Sequence, residues 1–175
     1  MTRCVLLLRG LNVGKANRIR MPDLVALVER AGGLDVSTYV QSGNVLVSSE
    51  EPEALAKAVE RALVDASIRS PVLVRTGPEL DDVVAHDPFA GRDLDPKLLH
   101  VAFLSAAPDP AAVAAVDHEG LLPEELVVRG RELHLWYAGG VQRNGLDRVV
   151  KGFGVTATAR NWRTVLALRD LLAPL

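Results

Sequence analysis

The order of predicted strands and helices is the feature that most constrains the fold of this chain. Apolar runs typical of strands alternate with amphipathic runs typical of helices. Up to about residue 85 they give strand, helix, strand, strand, helix, strand and one further helix. From about residue 98 the same order recurs, although the halves share no residue-level identity. Such an order favours antiparallel sheets with helices on one face.

Proline and glycine residues mark the ends of several elements. The apolar residues of 21–31 recur at helical spacing, and this run stops at a Gly-Gly pair. Pro52 opens the second helix, and Asp109 with Pro110 opens a helix in the second half. Gly43 lies in the turn of a predicted hairpin between strands 36–40 and 45–49. Nearer the C-terminus the pattern predicts a helix over 140–151, a brief strand over 155–158 and a helix over 161–172.

We therefore predict an α+β protein made of two consecutive ferredoxin-like (α/β-plait, βαββαβ) domains with antiparallel sheets. The N-terminal domain spans residues 1–86 and includes a trailing helix, and the C-terminal domain spans 98–175. Segment 87–97 is rich in Asp, Gly and Pro, which is typical of a linker.

The segment from Arg9 to Arg20 joins the first strand to the first helix and concentrates groups that suit an anion. Glycines, asparagines and four cations precede a helix start, where free backbone N–H groups and positive charge are presented together. In the predicted topology the first and third strands are antiparallel neighbours, so this segment and the 41–44 bend share one edge. The candidate ligand-binding residues are Arg9, Gly10, Asn12, Gly14, Lys15, Arg18, Arg20, Gln41, Ser42 and Asn44, together with Arg160 and Asn161 from the second half.

Charge is distributed unevenly along the chain. The formal net charge of −2 argues against a binder of bulk polyanions, yet residues 1–22 contain five cations and no acid. Cations beside a helix start are unfavourable unless acids pair with them or an anion binds there. Both explanations stay open for Arg18 and Arg20, and for Arg160 beside a later helix start, which can equally pair with a carboxylate and join the two halves.

Several familiar sites are disfavoured by spacing. Only three residues separate Gly10 from Gly14, and Ala16 stands where a nucleotide-binding P-loop needs a hydroxyl. The same glycines also suit a simple turn with positive φ. The four histidines lack metal-ligand spacing, and Cys4, the one cysteine, falls within the first strand, where we expect it to be buried. The first and third strands carry no aromatic residue for stacking RNA bases.

The remaining expectations concern membrane association, localisation, cofactors and oligomeric state. No apolar run approaches the ~18 residues of a membrane helix, and the N-terminus lacks the pattern of a secretion signal. We expect a soluble, cytoplasmic protein with no membrane association, no metal and no cofactor. The oligomeric state stays undetermined.

Five motifs together resemble a known bacterial family. They are the segments 9–14 with Asn17 and Met21, 39–45, 86–89, 100–104 and 158–165. In that order they are similar to the domain-of-unknown-function family 1697 over nearly the whole chain. The resemblance implies two ferredoxin-like domains and supplies no activity, cofactor or active site. This chain departs from the family pattern at Lys15, which replaces a glycine, and at Ala159, which replaces a hydroxyl residue.

Three functions stay open from the sequence. The favoured one is binding of a phosphate-bearing ligand, either a nucleotide-like small molecule or a nucleic-acid backbone, at the basic Gly/Asn-rich edge. The second is a small enzyme acting on an anionic metabolite, although these motifs contain no evident general base. The third is a structural or partner-binding protein in which the motif residues brace the fold.

Overall fold

The fold was analysed in a computed structural model, which describes residues 1–41, 43–141 and 145–173. The chain divides into two compact units. Unit 1 comprises Met1–Asp81 together with the C-terminal segment from Leu168, and unit 2 comprises Asp82–Ala167. No helix in the described part of the chain is long and apolar enough to cross a membrane.

Unit 1 contains a four-stranded antiparallel sheet in the order β2-β3-β1-β4. Leu7 pairs with Asn44 on one side of β1, and Leu8 pairs with Val72 on the other. The ends of these three neighbouring strands therefore lie at one edge. The elements, in chain order, are β1 (Thr2–Leu8), α1 (Met21–Arg30), β2 (Leu34–Thr38), β3 (Asn44–Ser49), α2 (Pro52–Asp65), β4 (Val72–Thr76) and the first part of α3 (Gly77–Ala85), whose residues from Asp82 belong to unit 2.

The core of unit 1 forms because alternate residues of β1 meet the apolar faces of α1 and α2. Leu6 and Leu8 pack with Leu24 of α1 and Val59 of α2, and all four are almost completely buried. Burying each such side chain contributes about 1.5–3 kcal/mol. Cys4 belongs to the same cluster, as expected, and burial raises the pKa of its thiol to about 11.

Both faces of β1 and β3 are buried. Every residue of β3 and the last five of β1 fall in the buried class. The sheet therefore offers no free face for stacked bases, in agreement with the absence of aromatic residues from these strands.

Unit 2 repeats the strand arrangement of unit 1. Its sheet has the order β6-β7-β5-β8 and is antiparallel throughout. One face of the sheet carries an apolar cluster that includes Leu104, Leu133, Leu135 and Tyr137, with Leu146 from α6. The elements are β5 (Leu99–Leu104), α4 (Pro110–Ala114), α5 (His118–Leu121), β6 (Glu125–Arg129), β7 (Glu132–Trp136), α6 (Gly145–Gly152), β8 (Ala157–Asn161) and the first part of α7 (Trp162–Leu172), whose residues from Leu168 belong to unit 1.

The segment 87–97 is held against the strands of unit 2. The guanidinium of Arg92 lies 5.3 Å from the ring centre of Phe89 and 5.1 Å from that of Trp136. It also donates two hydrogen bonds, of 2.7 and 3.0 Å, to the carboxylate of Glu125 in β6. Phe89 is itself buried. These contacts fix the segment to β6 and β7.

The predicted element order is observed, and the differences are local. Strand β8 covers 157–161 rather than 155–158, because Arg160 is a buried strand residue that pairs with Val101 of β5. Helix α5 was not predicted, since four residues are too few to show a period. Strand β2 ends at Thr38 because Val40 turns out of the sheet with φ +52°. The predicted helix 140–151 corresponds to α6, which covers 145–152; residues 140 and 141 are not helical, and 142–144 lie outside the described residues.

Candidate anion-binding cleft

The connector, defined as residues 9–20, is a folded loop rather than a loose turn. Gly10, Asn12, Gly14 and Asn17 all have positive φ values, between +52° and +66°. Glycine and asparagine are the residues that adopt this conformation at least cost. The backbone N–H of Asn12 donates to the carbonyl of Asn17, and its side-chain Oδ1 accepts from the N–H of Ile19, both at 2.9 Å.

The connector is also tied to the segment that precedes β4. The side-chain amide of Asn17 exchanges two 3.0 Å hydrogen bonds with the backbone N–H and carbonyl of Arg69. The N–H of Arg9 donates to the carbonyl of Pro71 at 2.9 Å, and the hydroxyl of Ser70 donates to the carbonyl of Arg9 at 2.8 Å. One side of the connector is therefore fixed to residues 69–71.

On its other side the connector meets the bend between β2 and β3. The N–H of Leu8 donates to the carbonyl of Gly43 at 2.8 Å, and Nδ2 of Asn12 approaches the carbonyl of Gln41 at 3.4 Å. The close approach of the bend to β1 requires glycine at position 43, because an added Cβ would lie 2.8 Å from the carbonyl oxygen of Leu8. Only a residue without a side chain fits against β1 at this point.

A cleft of about 700 Å³ opens where these parts converge. The connector, the start of α1 and the bend all contribute to it, so the structure brings together the three segments that the sequence placed on one edge. Its lining residues are Asn12, Arg18, Ile19, Arg20, Met21, Pro22 and Gln41. None of these described lining residues is acidic. The lining combines two guanidinium groups and two amides with three apolar side chains.

The two arginines of the cleft differ in how far their charge is compensated. Arg20 donates hydrogen bonds of 2.8 and 3.0 Å to the carboxylate of Asp23. This contact raises the pKa of Arg20 and lowers the pKa of Asp23. Arg18 donates from Nε to the carbonyl of Gly14 at 2.9 Å and has no ion pair within the described part of the chain. Lys15 is exposed.

The Arg20–Asp23 pair accounts for one of the cations beside a helix start. Arg20 is the N-cap of α1, and no side chain caps the helix by a hydrogen bond. Asp23 lies in the first turn, where negative charge is favourable. Pairing with a nearby acid therefore explains Arg20 and leaves Arg18 unexplained.

The structure uses three of the candidate residues, Asn12, Asn44 and Asn161, for folding. Asn44 is buried and donates from Nδ2 to the carbonyl of Tyr39 at 3.0 Å, which closes the bend. Asn12 holds the connector, together with Asn17, which was not a candidate. Asn161 accepts from the N–H of Thr164 at 2.9 Å and so satisfies the first turn of α7.

Arg160 and Ser42 complete the account of the candidates. Arg160 belongs to unit 2 and is 8% exposed. Its guanidinium donates to the hydroxyl of Thr158 at 2.7 Å and to the carbonyl of Ala159 at 2.9 Å, and burial lowers its pKa to about 10. Ser42 lies outside the described residues. Arg9, Gly10, Gly14, Lys15, Arg18, Arg20 and Gln41 are exposed at the connector and the bend.

Sequence reasoning missed the apolar lining of the cleft and the role of residue 69. Ile19, Met21 and Pro22 were not among the predicted site residues, yet they line the cleft. Arg69 precedes β4, which the structure places beside β1, a pairing that the sequence analysis did not predict. Among the described residues, no group of three or more His, Cys, Asp and Glu side chains could hold a metal ion.

Comparison with known proteins was consistent with the motifs. The model of the family described as Protein of unknown function (DUF1697) matches residues 1–134 of the 175. The chain belongs to this family. The resemblance stated from the motifs is thereby confirmed.

A solved structure extends the likeness beyond the DUF1697 match. The conserved bacterial protein SP0830 from Streptococcus pneumoniae is 24% identical over 98% of each chain, with a TM-score of 0.72. At this identity the likeness shows the fold alone. No curated protein matched this DUF1697 chain.

Proposed function

We propose that the cleft binds a phosphate-bearing ligand, either a nucleotide-like small molecule or the backbone of a nucleic acid. We also propose that each unit is a ferredoxin-like plait, which the order β2-β3-β1-β4 and its counterpart in unit 2 support. For the chain we propose domains of 1–86 and 98–175, joined by 87–97, and a cytoplasmic location. No ligand-binding residue is assigned from unit 2.

The observation that carries this proposal is the state of Arg18. Its guanidinium lines the cleft beside Arg20, and within the described residues no carboxylate neutralises it. Arginine is the side chain best suited to phosphate, because its planar group donates two parallel hydrogen bonds. The bond from Nε to Gly14 restricts the side chain, which lowers the entropy cost of binding, and the two terminal nitrogens make no hydrogen bond within the described residues.

The rest of the cleft suits a ligand that is more than a bare anion. Its volume of about 700 Å³ falls within the range usual for small-molecule sites, about 300–1,000 Å³. Ile19, Met21 and Pro22 provide an apolar wall, and Gln41 provides an amide that both donates and accepts hydrogen bonds. A sugar or base beside a phosphate would meet both kinds of surface.

Catalysis receives less support than binding. Among the described residues that line or adjoin the cleft, Arg20 and Asp23 have shifted pKa values. The main cause of each shift is the hydrogen bond between these two side chains. A general base would need a titratable group aimed at the ligand with a pKa near the working pH. We therefore propose a binding function, with no reaction assigned.

The proposal is tested by calorimetric titration at low salt with inorganic phosphate, AMP and ATP. We expect affinity to rise with phosphate number and to fall as salt is raised. Arg18→Ala and Lys15→Ala should each weaken ATP binding several-fold, because each removes a cation beside the ligand. Arg148→Ala and Lys57→Ala are matched controls, since both remove an exposed cation from a helix elsewhere.

The outcomes separate clearly. If ATP affinity falls in Arg18→Ala and Lys15→Ala but not in the controls, the result supports binding at the cleft, provided that the melting temperatures of both variants match the wild type. Equal loss in the controls would indicate nonspecific charge attraction and overturn the proposal. Absence of binding by all three probes and by oligonucleotides would overturn it as well.

A further inference from the structure

Exposed cations continue beyond the cleft along the same edge of unit 1. Arg9 follows the last residue of β1, and Arg69 lies three residues before β4. Both are exposed, and neither has an ion pair within the described part of the chain. Strands β3, β1 and β4 are successive neighbours, so their ends span two strand spacings, about 10 Å. One phosphate group cannot reach across that distance.

The hydrogen bonds hold these cations in a fixed order. Gln41 meets the connector through Asn12, and the connector meets Arg69 through the paired amide bonds of Asn17. Arg9 is fixed between them by its backbone bonds to Ser70 and Pro71. The apolar-walled cleft therefore lies at one end of this edge, and a row of exposed cations continues outside it. Hydrogen bonds connect the backbone segments that carry the cleft and the cations.

We infer that the ligand of this edge is single-stranded nucleic acid, which rests on the proposed function of the cleft. An unpaired base has exposed faces and can enter the cleft, where Ile19, Met21 and Pro22 form the apolar wall. A paired base is stacked inside a duplex and cannot. The following phosphates then meet Arg9 and Arg69, as in other single-strand binders whose cationic grooves track the backbone. The sheet face has no part in this mode, because β1 and β3 are buried.

Arg69 gives the inference its sharpest test. Its hydrogen bonds to Asn17 are made by its backbone atoms, so Arg69→Ala keeps them and removes only the charged side chain. The residue does not line the cleft. Its loss should therefore affect a ligand that extends out of the cleft and leave one that fits inside unaffected.

The experiment measures fluorescence anisotropy of a labelled 12-nucleotide poly-dT strand, competition by the matching duplex, and AMP binding by calorimetry, for the wild type, Arg69→Ala and Lys57→Ala. We expect the single strand to bind at least tenfold more tightly than AMP and than the duplex. In Arg69→Ala, strand affinity should fall three- to tenfold with AMP affinity unchanged. The slope of log affinity against log salt should become shallower by about 0.7, the value for one lost phosphate contact of a single strand. Lys57→Ala should match the wild type.

Each alternative result has a defined meaning. If AMP binds and the strand binds no more tightly, or if Arg69→Ala changes neither, the inference is wrong and the proposed function stands. Tighter binding of the duplex would also overturn the inference. If neither AMP nor the strand binds, the proposed function itself fails.

Discussion

Asn17 and Arg69, which are 52 residues apart in sequence, are joined by two 3.0 Å hydrogen bonds between the side-chain amide of one and the backbone of the other. A side-chain amide copies the donor and acceptor of a peptide group, so Asn17 pairs with residue 69 much as a strand residue would. This pairing fixes the connector to the segment before β4. The shape of the proposed binding edge depends on it.

Replacing Asn17 should therefore destabilise unit 1. We expect Asn17→Ala and Asn17→Gly each to lower the free energy of unfolding by about 1–2 kcal/mol, since two hydrogen bonds of modest net value are lost. Urea denaturation followed by circular dichroism measures this. The glycine variant is the informative control, because it accepts the φ of +52° without strain. Wild-type stability in that variant would show that the hydrogen bonds contribute nothing.

Gly43 and Gly14 offer a matched test of close packing at this edge. Both have positive φ, but a Cβ at Gly43 would lie 2.8 Å from the carbonyl oxygen of Leu8, while a Cβ at Gly14 would meet no atom within 4 Å. Gly14→Ala should cost about 1–2 kcal/mol from the backbone conformation alone. Gly43→Ala should cost about 2–4 kcal/mol, because the clash is added. Equal losses in thermal or urea melts would contradict the placement of the bend against β1.

The contact of Glu125 with Arg92 should make the stability of the fold depend on pH in the acidic range. The hydrogen bonds from Arg92 hold the pKa of Glu125 below its ordinary value of 4.5. A lowered carboxyl pKa gives stability that is fully present above the unfolded value and is lost as the pH falls through the folded value. The difference in melting temperature between wild type and Glu125→Gln should therefore be largest near pH 7 and shrink below pH 4. A constant difference would show that this ion pair does not contribute.

His134 should give a second pH dependence, in a higher range. It lies in β7, is 1% exposed, and has an Nε2 atom without a hydrogen-bond partner in the described structure. Burial lowers its pKa below the ordinary 6.5; Asp87 opposes the shift and Arg129 adds to it. Between the folded pKa and 6.5 the unfolded chain binds the extra proton, so stability falls as the pH drops below about 6.5.

The measurement compares urea denaturation of wild type and His134→Leu from pH 7.5 to 5. The variant should lose less stability over this range, by at most about 1.4 kcal/mol per pH unit for one proton. Some slope should remain, because burial also lowers the pKa of His100. His118→Gln serves as the control, since it removes an exposed imidazole from α5. Identical slopes in wild type and His134→Leu would show that His134 does not titrate with unfolding.

Much of the fold was predictable because its signals are local. The 3.6-residue period of 21–31, the prolines at 52 and 110 and the glycine of the 41–44 bend marked elements that the structure contains. Asp109 was predicted as a cap, and its carboxylate accepts from the N–H of Ala111 at 2.8 Å. Strand β8 was misplaced because Arg160 looked like a surface residue, and only its pairing with β5 explains its burial.

The sequence by itself determined the order of elements, the position of the basic connector and the shared edge of the first and third strands, since periodicity, proline and glycine act within a few residues. The tertiary structure alone decided which polar groups are used for folding and which stay free. Asn17, Asn44 and Arg160 have their polar groups satisfied by the protein, whereas the Arg18 guanidinium lines an open cleft without an acid partner in the described residues. Such contacts join atoms up to 52 positions apart, and their distances depend on the packing of every element between them.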